Sequence, residues 1–225
     1  MADSFTLDTT PCGTVEVAYV VNGPIETNTY FVISGDEAVV IDPAWDGEEL
    51  ARSFAAAHPG VRIRAIVCTH GHADHVGGVA GLRKALPEIE YLLPAEDVAT
   101  VETNIARQRT WGIETPDPGE PTRLVHEGDV ITVGSARLQA IATPGHTPGG
   151  MVYFCAIDQG PIAFVGDTLF PGSHGRTDLA GGDEVAIIRS LRRLGQLLPS
   201  ATSCLVGHGP STTIERELAT NPFMR

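Results

Sequence analysis

The 225 residues suffice for one large domain with a substantial core, or at most two small ones, and 42% hydrophobic with 19% charged residues is an ordinary soluble composition. A net charge of −13, from 28 acidic against 15 basic residues, repels phosphate backbones. The densest basic run, "RSLRRL", suits a solvated helix face, so a nucleic-acid partner is not expected. No apolar run is long enough to cross a bilayer, and "MADSFTLDTTPCG" lacks a basic region followed by an apolar core. A cytoplasmic location without membrane contact is therefore expected.

The chain opens with three strand-like runs, "TVEVAYV", "TYFVIS" and "EAVVID", separated by turn formers in "NGPIETN" and "GDE". A helix follows in "DGEELARSFAAAH", closed by Pro59 and Gly60, and then a buried strand "IRAIVCT". Helical spacing of Val76, Val79, Leu82 and Leu86 comes next, and another helix is expected in "AEDVATVETNIARQR". The Pro-rich "GIETPDPGEPT" reads as a surface loop or the join between two halves. The second half repeats the plan: strands "DVITVG", "ARLQAIAT", "MVYFCAI" and "PIAFVG", then a helix in "DEVAIIRSLRRLGQLL" with Asp183 as N-cap. A strand "SCLVG" and a short helix around "STTIERELA" end the chain. Two runs of strands, each followed by helix, suggest two packed sheets with helices outside.

Between "IRAIVCT" and the helical spacing lies "THGHADHVGG", three histidines and an aspartate within six positions. The cluster is internal and held between two packing elements, which argues against a tag and favours metal binding over a solvated loop. Three more strands run into a residue of the same kind: "LQAIATPGH", "IAFVGD" and "SCLVGH". If these strands point one way, their ends bring His70, His72, Asp74, His75, His146, Asp167 and His208 to one rim. Alone, His146 or His208 is more simply a structural histidine and Asp167 a turn cap; the recurrence gives the weight. His58 and His126 lack the arrangement. Four scattered cysteines require no disulfide, and alternation leaves a supporting role for Cys68, two positions before His70, open. Zinc, iron and manganese all accept such ligands.

Taken in order, "THGHADHVGG", "TPGHTPGG", "GDTLF" and "GHGP" resemble the signature of the metallo-β-lactamase fold superfamily, from "NTYFVISGDEAVVIDPA" to the C-terminus. "GRTDLAGGD" and "GPSTTIERELATNPF" are similar to its glyoxalase II-like branch, the hydroxyacylglutathione hydrolases and their short relatives. The resemblance implies an α/β fold, an αββα sandwich of two mixed β-sheets flanked by helices, as a single domain over residues 1–225. It implies that His70, His72 and His146 hold one metal ion, Asp74, His75 and His208 a second, and that Asp167 bridges them. Asp42 and Thr69 would support these ligands, with Thr143 assisting.

Two divalent ions, zinc first with iron or manganese as alternatives, would lower the pKa of a shared water to yield a nucleophile at neutral pH. Asp74 would orient that nucleophile, and no GxSxG serine is present to compete. The implied activity is hydrolysis of a thioester, an S-acyl thiol conjugate such as S-lactoylglutathione or a related ester. Only 17 residues follow His208, so the C-terminal helical region that binds glutathione in full glyoxalase II is expected to be absent. Arg176 and His174 on the "PGSHGRTDL" loop are candidate substrate contacts, with pairing of Arg176 to Asp178 an equal alternative. The rival reading is a mononuclear iron persulfide dioxygenase using His70, His146 and Asp167. β-Lactam hydrolysis is disfavoured by the bridging aspartate, and a purely structural zinc site by a ligand set larger than the four it needs.

Overall fold

The computed structural model describes residues 5–225, so the first four residues of the N-terminal stretch read above lie outside it. Six strands form the first sheet in sequence order: β1 (Glu16–Asn22), β2 (Thr27–Ser34), β3 (Glu37–Ile41), β4 (Arg62–Val67), β5 (Glu90–Pro94) and β6 (Arg123–Val125). The first three are antiparallel, and β3 to β6 are parallel. The second sheet orders β14 (Thr212–Thr213), β13 (Ser203–Val206), β10 (Ile162–Gly166), β9 (Met151–Cys155), β8 (Ala136–Ala142) and β7 (Val130–Val133). A two-stranded ribbon, β11 (Leu169–Phe170) with β12 (Ser173–His174), stands apart. Both large sheets are mixed, as expected.

Alternation along the strands builds the layers, since successive side chains point to opposite faces. On β2 and β3, Tyr30, Val32, Val39 and Ile41 enter the core between the sheets, where they meet Leu138, Met151, Tyr153 and Phe164. Phe31, Ile33, Ala38 and Val40 face the other way, onto helices α1 (Gly47–Ala57) and α3 (Val79–Ala85). Val152, Phe154, Ala163 and Val165 cover the outer face of the second sheet beneath α5 (Glu184–Leu197). Ile187, Leu191 and Leu194 form the buried stripe of α5, and Asp183 caps it by accepting from the Ala186 amide. The result is the αββα sandwich.

The expected helix after the histidine cluster is two helices, α2 (Ala73–Val76) and α3, broken at Gly77 and Gly78. A Cβ on Gly77 would lie 2.4 Å from the Ala44 carbonyl oxygen, so the chain turns there against the end of β3. The helix expected over 95–109 begins as a 3-10 turn at Ala95–Asp97 and continues as α4 (Val98–Thr110). Strands β6, β11, β12 and β14, of two or three residues each, were not anticipated, because so short a run shows no alternation. No helix among the described residues is long and apolar enough to cross a membrane.

Strand direction decides where the loops meet. β3, β4 and β5 are parallel to one another, and β10 is parallel to β13. β8 is antiparallel to β9, which is antiparallel to β10, so β8 runs with β10 and β13. In the first sheet β3, β4, β5 and β6 therefore send their C-terminal ends in one direction, and in the second sheet β8, β10 and β13 do the same. Thr27 bridges to His208, and Asn28 donates its amide N–H to Gly207 O (2.7 Å) and its side-chain nitrogen to Val206 O (2.9 Å). These contacts join the two sheets at that rim.

Candidate metal centre

Seven side chains converge where the strand ends meet. His70 follows β4, His72 precedes α2, and Asp74 and His75 lie on α2. His146 follows β8, Asp167 follows β10, and His208 follows β13. Ligand-type atoms of His70, His72 and His146 lie within 4.8 Å of one another, and so do those of Asp74, His75 and His208. Asp167 stands between the two triads: its Oδ2 is 3.5 Å from both His146 Nε2 and His208 Nε2, and its Oδ1 is 3.4 Å from His75 Nε2. Asp74 Oδ2 lies 3.4 Å from His75 Nε2 and 3.2 Å from His208 Nε2.

The surroundings fix which nitrogen of each ring faces inward. Thr69 donates its hydroxyl hydrogen to Asp42 Oδ2 at 2.7 Å, so the same oxygen accepts from His70 Nδ1 at 3.0 Å. His70 Nε2 is thereby left as a lone pair. The Arg176 carbonyl accepts from His146 Nδ1 at 2.7 Å, and the Ile25 carbonyl accepts from His208 Nδ1 at 3.2 Å. In all three rings Nε2 points into the cluster. His70 Nε2, His146 Nε2, both nitrogens of His75 and Asp167 Oδ1 are buried without a hydrogen-bond partner. His75 Nδ1 is 2.9 Å from Asp42 Oδ2, but out of line for a hydrogen bond. Buried polar atoms ordinarily find partners, so four orphans inside the cluster, His70 Nε2, His75 Nε2, His146 Nε2 and Asp167 Oδ1, fit divalent cations.

Electrostatics separate the triads. Burial, with the neighbouring His75, pushes His70 well below its ordinary value, and burial with the adjacent His146 takes His72 down to about 3. Both are neutral at physiological pH. Burial would also lower His75, but Asp42, Asp74 and Asp167 together hold it well above the usual imidazole range. Burial likewise opposes protonation of His208, and hydrogen bonds to Asp167 and Asp74 overcome it, raising His208 to about 10. Burial pulls Asp74 upward, yet His75 and His208 bring it to about 2, and the same neighbours hold Asp167 well below the carboxylate range. The second triad has excess negative charge that attracts cations, protons included.

Asp42 adopts φ 50° at the end of β3 and accepts the Thr69 amide through Oδ1 at 2.7 Å besides the Thr69 hydroxyl. Thr143 shares a hydrogen bond with Thr168 (2.9 Å), beside Asp167. Two glycines admit close approaches here. A Cβ on Gly207 would fall 2.1 Å from Asp167 Oδ1, and one on Gly166 (φ 48°) 2.3 Å from Thr69 Oγ1. Arg176 and His174 lie outside the cluster. The exposed Arg176 guanidinium makes two 2.7 Å bonds to Asp178, so its contribution to the centre is its carbonyl. His174 packs edge-on against Phe223 at 4.3 Å and lies 3.4 Å from Glu184. Cys68 faces the helices, with its sulfur 3.8 Å from the His75 carbonyl oxygen.

Sequence reading missed Asp97, which is fully buried. Its Oδ2 accepts from the Gly71 amide and the Thr147 hydroxyl, both at 2.7 Å. Its Oδ1 accepts from the Gly149 amide at 2.7 Å and the Thr100 hydroxyl at 3.0 Å. One carboxylate thus locks the loop carrying His70 and His72 to the loop carrying His146. A signal existed: "YLLPAED" is a further apolar strand running into an acidic residue. Thr27, donating to Asp74 at 3.2 Å, and Asn104, accepting from the Ala73 amide at 2.9 Å, were missed as well.

Residues 22–208 match the model of the metallo-beta-lactamase superfamily. The hydroxyacylglutathione hydrolase GloC of Haemophilus influenzae is 30% identical, with 83% of this chain and 87% of GloC covered. Among solved structures, TTHA1623 in a di-iron-bound form superposes with a TM-score of 0.81 at 38% identity, covering 92% of this chain and 99% of that one. The B3 metallo-beta-lactamase BLEG-1 superposes with a TM-score of 0.82 at 31% identity, covering 93% and 99%. Motifs, fold and family match agree, and the chain belongs to the metallo-beta-lactamase superfamily.

Proposed function

We propose that this protein is a dinuclear metal-dependent hydrolase of thioesters, S-acyl conjugates of a small thiol. The observation that carries this reading is the pair of triads, His70–His72–His146 and Asp74–His75–His208, with Asp167 set between them. A single iron on His70, His146 and Asp167 would leave the second triad without a task, which is why the hydrolase is preferred over the dioxygenase. When bound, two divalent ions supply Lewis acidity and a nucleophile from water at neutral pH.

The chain's own part is positioning. His70 and His146, and His208 once a metal displaces its proton, present fixed Nε2 lone pairs, because Thr69, the Arg176 carbonyl and the Ile25 carbonyl hold their Nδ1 atoms. Asp74, kept ionised and held by the Thr27 hydroxyl, accepts a hydrogen bond from the attacking water and aims it at the acyl carbon. The thiolate leaves, and no protein nucleophile takes part. Support also comes from the likeness to a hydroxyacylglutathione hydrolase and to a di-iron structure.

The test is metal content of protein purified without added metal, together with S-lactoylglutathione hydrolysis, β-lactam hydrolysis and oxygen uptake with a persulfide. Two metals per chain with thioester cleavage and no oxygen uptake supports the reading. One iron per chain with oxygen consumption overturns it, as does cleavage confined to the β-lactam.

A further inference from the structure

A cavity of about 220 Å³ runs from the metal centre along one face of α4, lined by His72, Pro148, Thr100, Asn104, Arg107 and Leu179 among others. Thr100, Asn104 and Arg107 stand at helical spacing, so they share one face of α4. His72 belongs to the cluster, and Pro148 follows His146 by two residues. The cavity therefore borders the centre at His72. Its volume is below the roughly 300–1,000 Å³ of clefts that enclose a whole drug-sized ligand, so it suits one arm of a conjugate.

Among the described residues, Arg107 is the only arginine or lysine lining this cavity. It is half-buried, its guanidinium lies 5.0 Å from the Trp111 ring centroid, and it pairs with no carboxylate among the described residues. That is unusual in a chain with 28 acidic and 15 basic residues, where many of the arginines do find a carboxylate. Glu96 also lines the cavity, eleven residues earlier and before the start of α4, and Asp178 is near enough to feel the Arg107 charge, but both Asp178 oxygens are already bound by Arg176. Asn104 uses its oxygen on the Ala73 amide, and its side-chain nitrogen makes no bond among the described residues. Arg107 and Asn104 are one turn apart on the same face, and both still have N–H groups to donate.

We propose that this cavity is a subsite for the non-reacting arm of the substrate and selects an arm ending in a carboxylate, which the Arg107 fork and the Asn104 amide bind. The proposal rests on the hydrolase reading for the identity of the scissile bond, and on the cavity alone for the anionic group. Seven residues of α4 separate Arg107 from Thr100, about 10 Å of helix, so the carboxylate lies several bonds from the acyl carbon. The indole of Trp111, against the back of the guanidinium, holds the fork in place and reports on its occupancy.

The test uses the full chain in a Trp45→Phe background, which leaves Trp111 as the sole indole. The probes are two non-hydrolysable thioethers of equal length, one ending in a carboxylate and one in the neutral amide, with the matching pair of thioesters. The carboxylate thioether should bind about ten- to a hundredfold more tightly and change Trp111 emission, the range expected of a charge-assisted fork. Arg107→Ala should collapse that preference toward one, and Arg107→Lys should restore part of it, since lysine keeps the charge without the fork. Among the thioesters the same ratio should appear in KM rather than kcat. Equal binding of the two thioethers, or a preference that survives Arg107→Ala, overturns the subsite. Carboxylate preference that depends on Arg107, with neither thioester cleaved, upholds the subsite and overturns the hydrolase reading instead.

Discussion

The hydroxyl of Thr147 donates to Asp97 Oδ2 at 2.7 Å, joining two residues 50 positions apart that never touch the centre they position. Asp97 collects three further donors, from Gly71, Thr100 and Gly149, and meets no cation among them. Asp97→Ala would strand those donors in a buried site, which should cost about 3–5 kcal/mol of stability. Asp97→Asn keeps the shape but turns an NH₂ group toward N–H donors. It should fold and bind metal about ten- to a hundredfold more weakly, the usual cost of losing a ligand's support. Urea titration and metal titration of both variants check this; wild-type metal affinity in Asp97→Asn would refute it.

Gly207→Ala is a second test of positioning. The added methyl would lie 2.1 Å from Asp167 Oδ1 and 2.8 Å from His75 Cε1, so Asp167 must move from between the triads. The circular dichroism spectrum should stay native while metal content falls below that of the parent chain. Undiminished stoichiometry would mean that Asp167 is free to shift without consequence.

Strand direction explains how much of this was legible. "AIVC", "LQAIA", "IAFV" and "SCLV" are apolar enough to read as strands, and a residue just past a strand end has its rim assigned as soon as the strand does. Asp42, His70, His146, Asp167 and His208 are all of this kind. Asp97 escaped because it closes a 3-10 turn rather than ending β5 directly and because its partners, backbone amides of Gly71 and Gly149, leave no trace in a sequence. The Arg107 cavity escaped for a related reason: its walls come from α4 and the 179–181 loop, far apart in the chain. The split between α2 and α3 was invisible because Val76, Val79 and Leu82 keep helical spacing across the break.

Arg176 and Arg107 make opposite predictions about substrate recognition. Arg176 is exposed and bound through two nitrogens to Asp178, and it serves His146 through a carbonyl that any residue carries. Arg176→Ala should therefore leave metal content intact and change KM for a carboxylate-bearing thioester by less than about threefold, as exposed ion pairs contribute little. A tenfold rise in KM would return Arg176 to the substrate site.

The unequal electrostatics of the two triads predict unequal loading. At pH 7 His70 and His72 are neutral and ready to bind metal, whereas His75, held well above its ordinary value, and His208, at about 10, carry protons. An ion entering the His70–His72–His146 triad displaces no proton from those two rings; one entering the Asp74–His75–His208 triad must displace two. The second affinity should thus fall by up to about a hundredfold per unit drop in pH near neutrality, the first far less. The metal-free chain responds in the opposite sense. His208 is raised from 6.5 to about 10, so its contribution to stability is complete below pH 6.5 and lost as pH climbs through 10. Asp74 is lowered from 3.8 to about 2, so its contribution is present above 3.8 and lost as pH falls through 2. Raising the pH from 7 to 10 should therefore destabilise chelator-treated protein while tightening metal at the second triad. Calorimetric titration in two buffers of different ionisation enthalpy, with thermal melts of the chelated chain across that range, checks both. Equal proton release by the two ions would sink the asymmetry, and a metal-free chain whose melting temperature is flat from pH 7 to 10 would sink the assignment of those protons to His75 and His208.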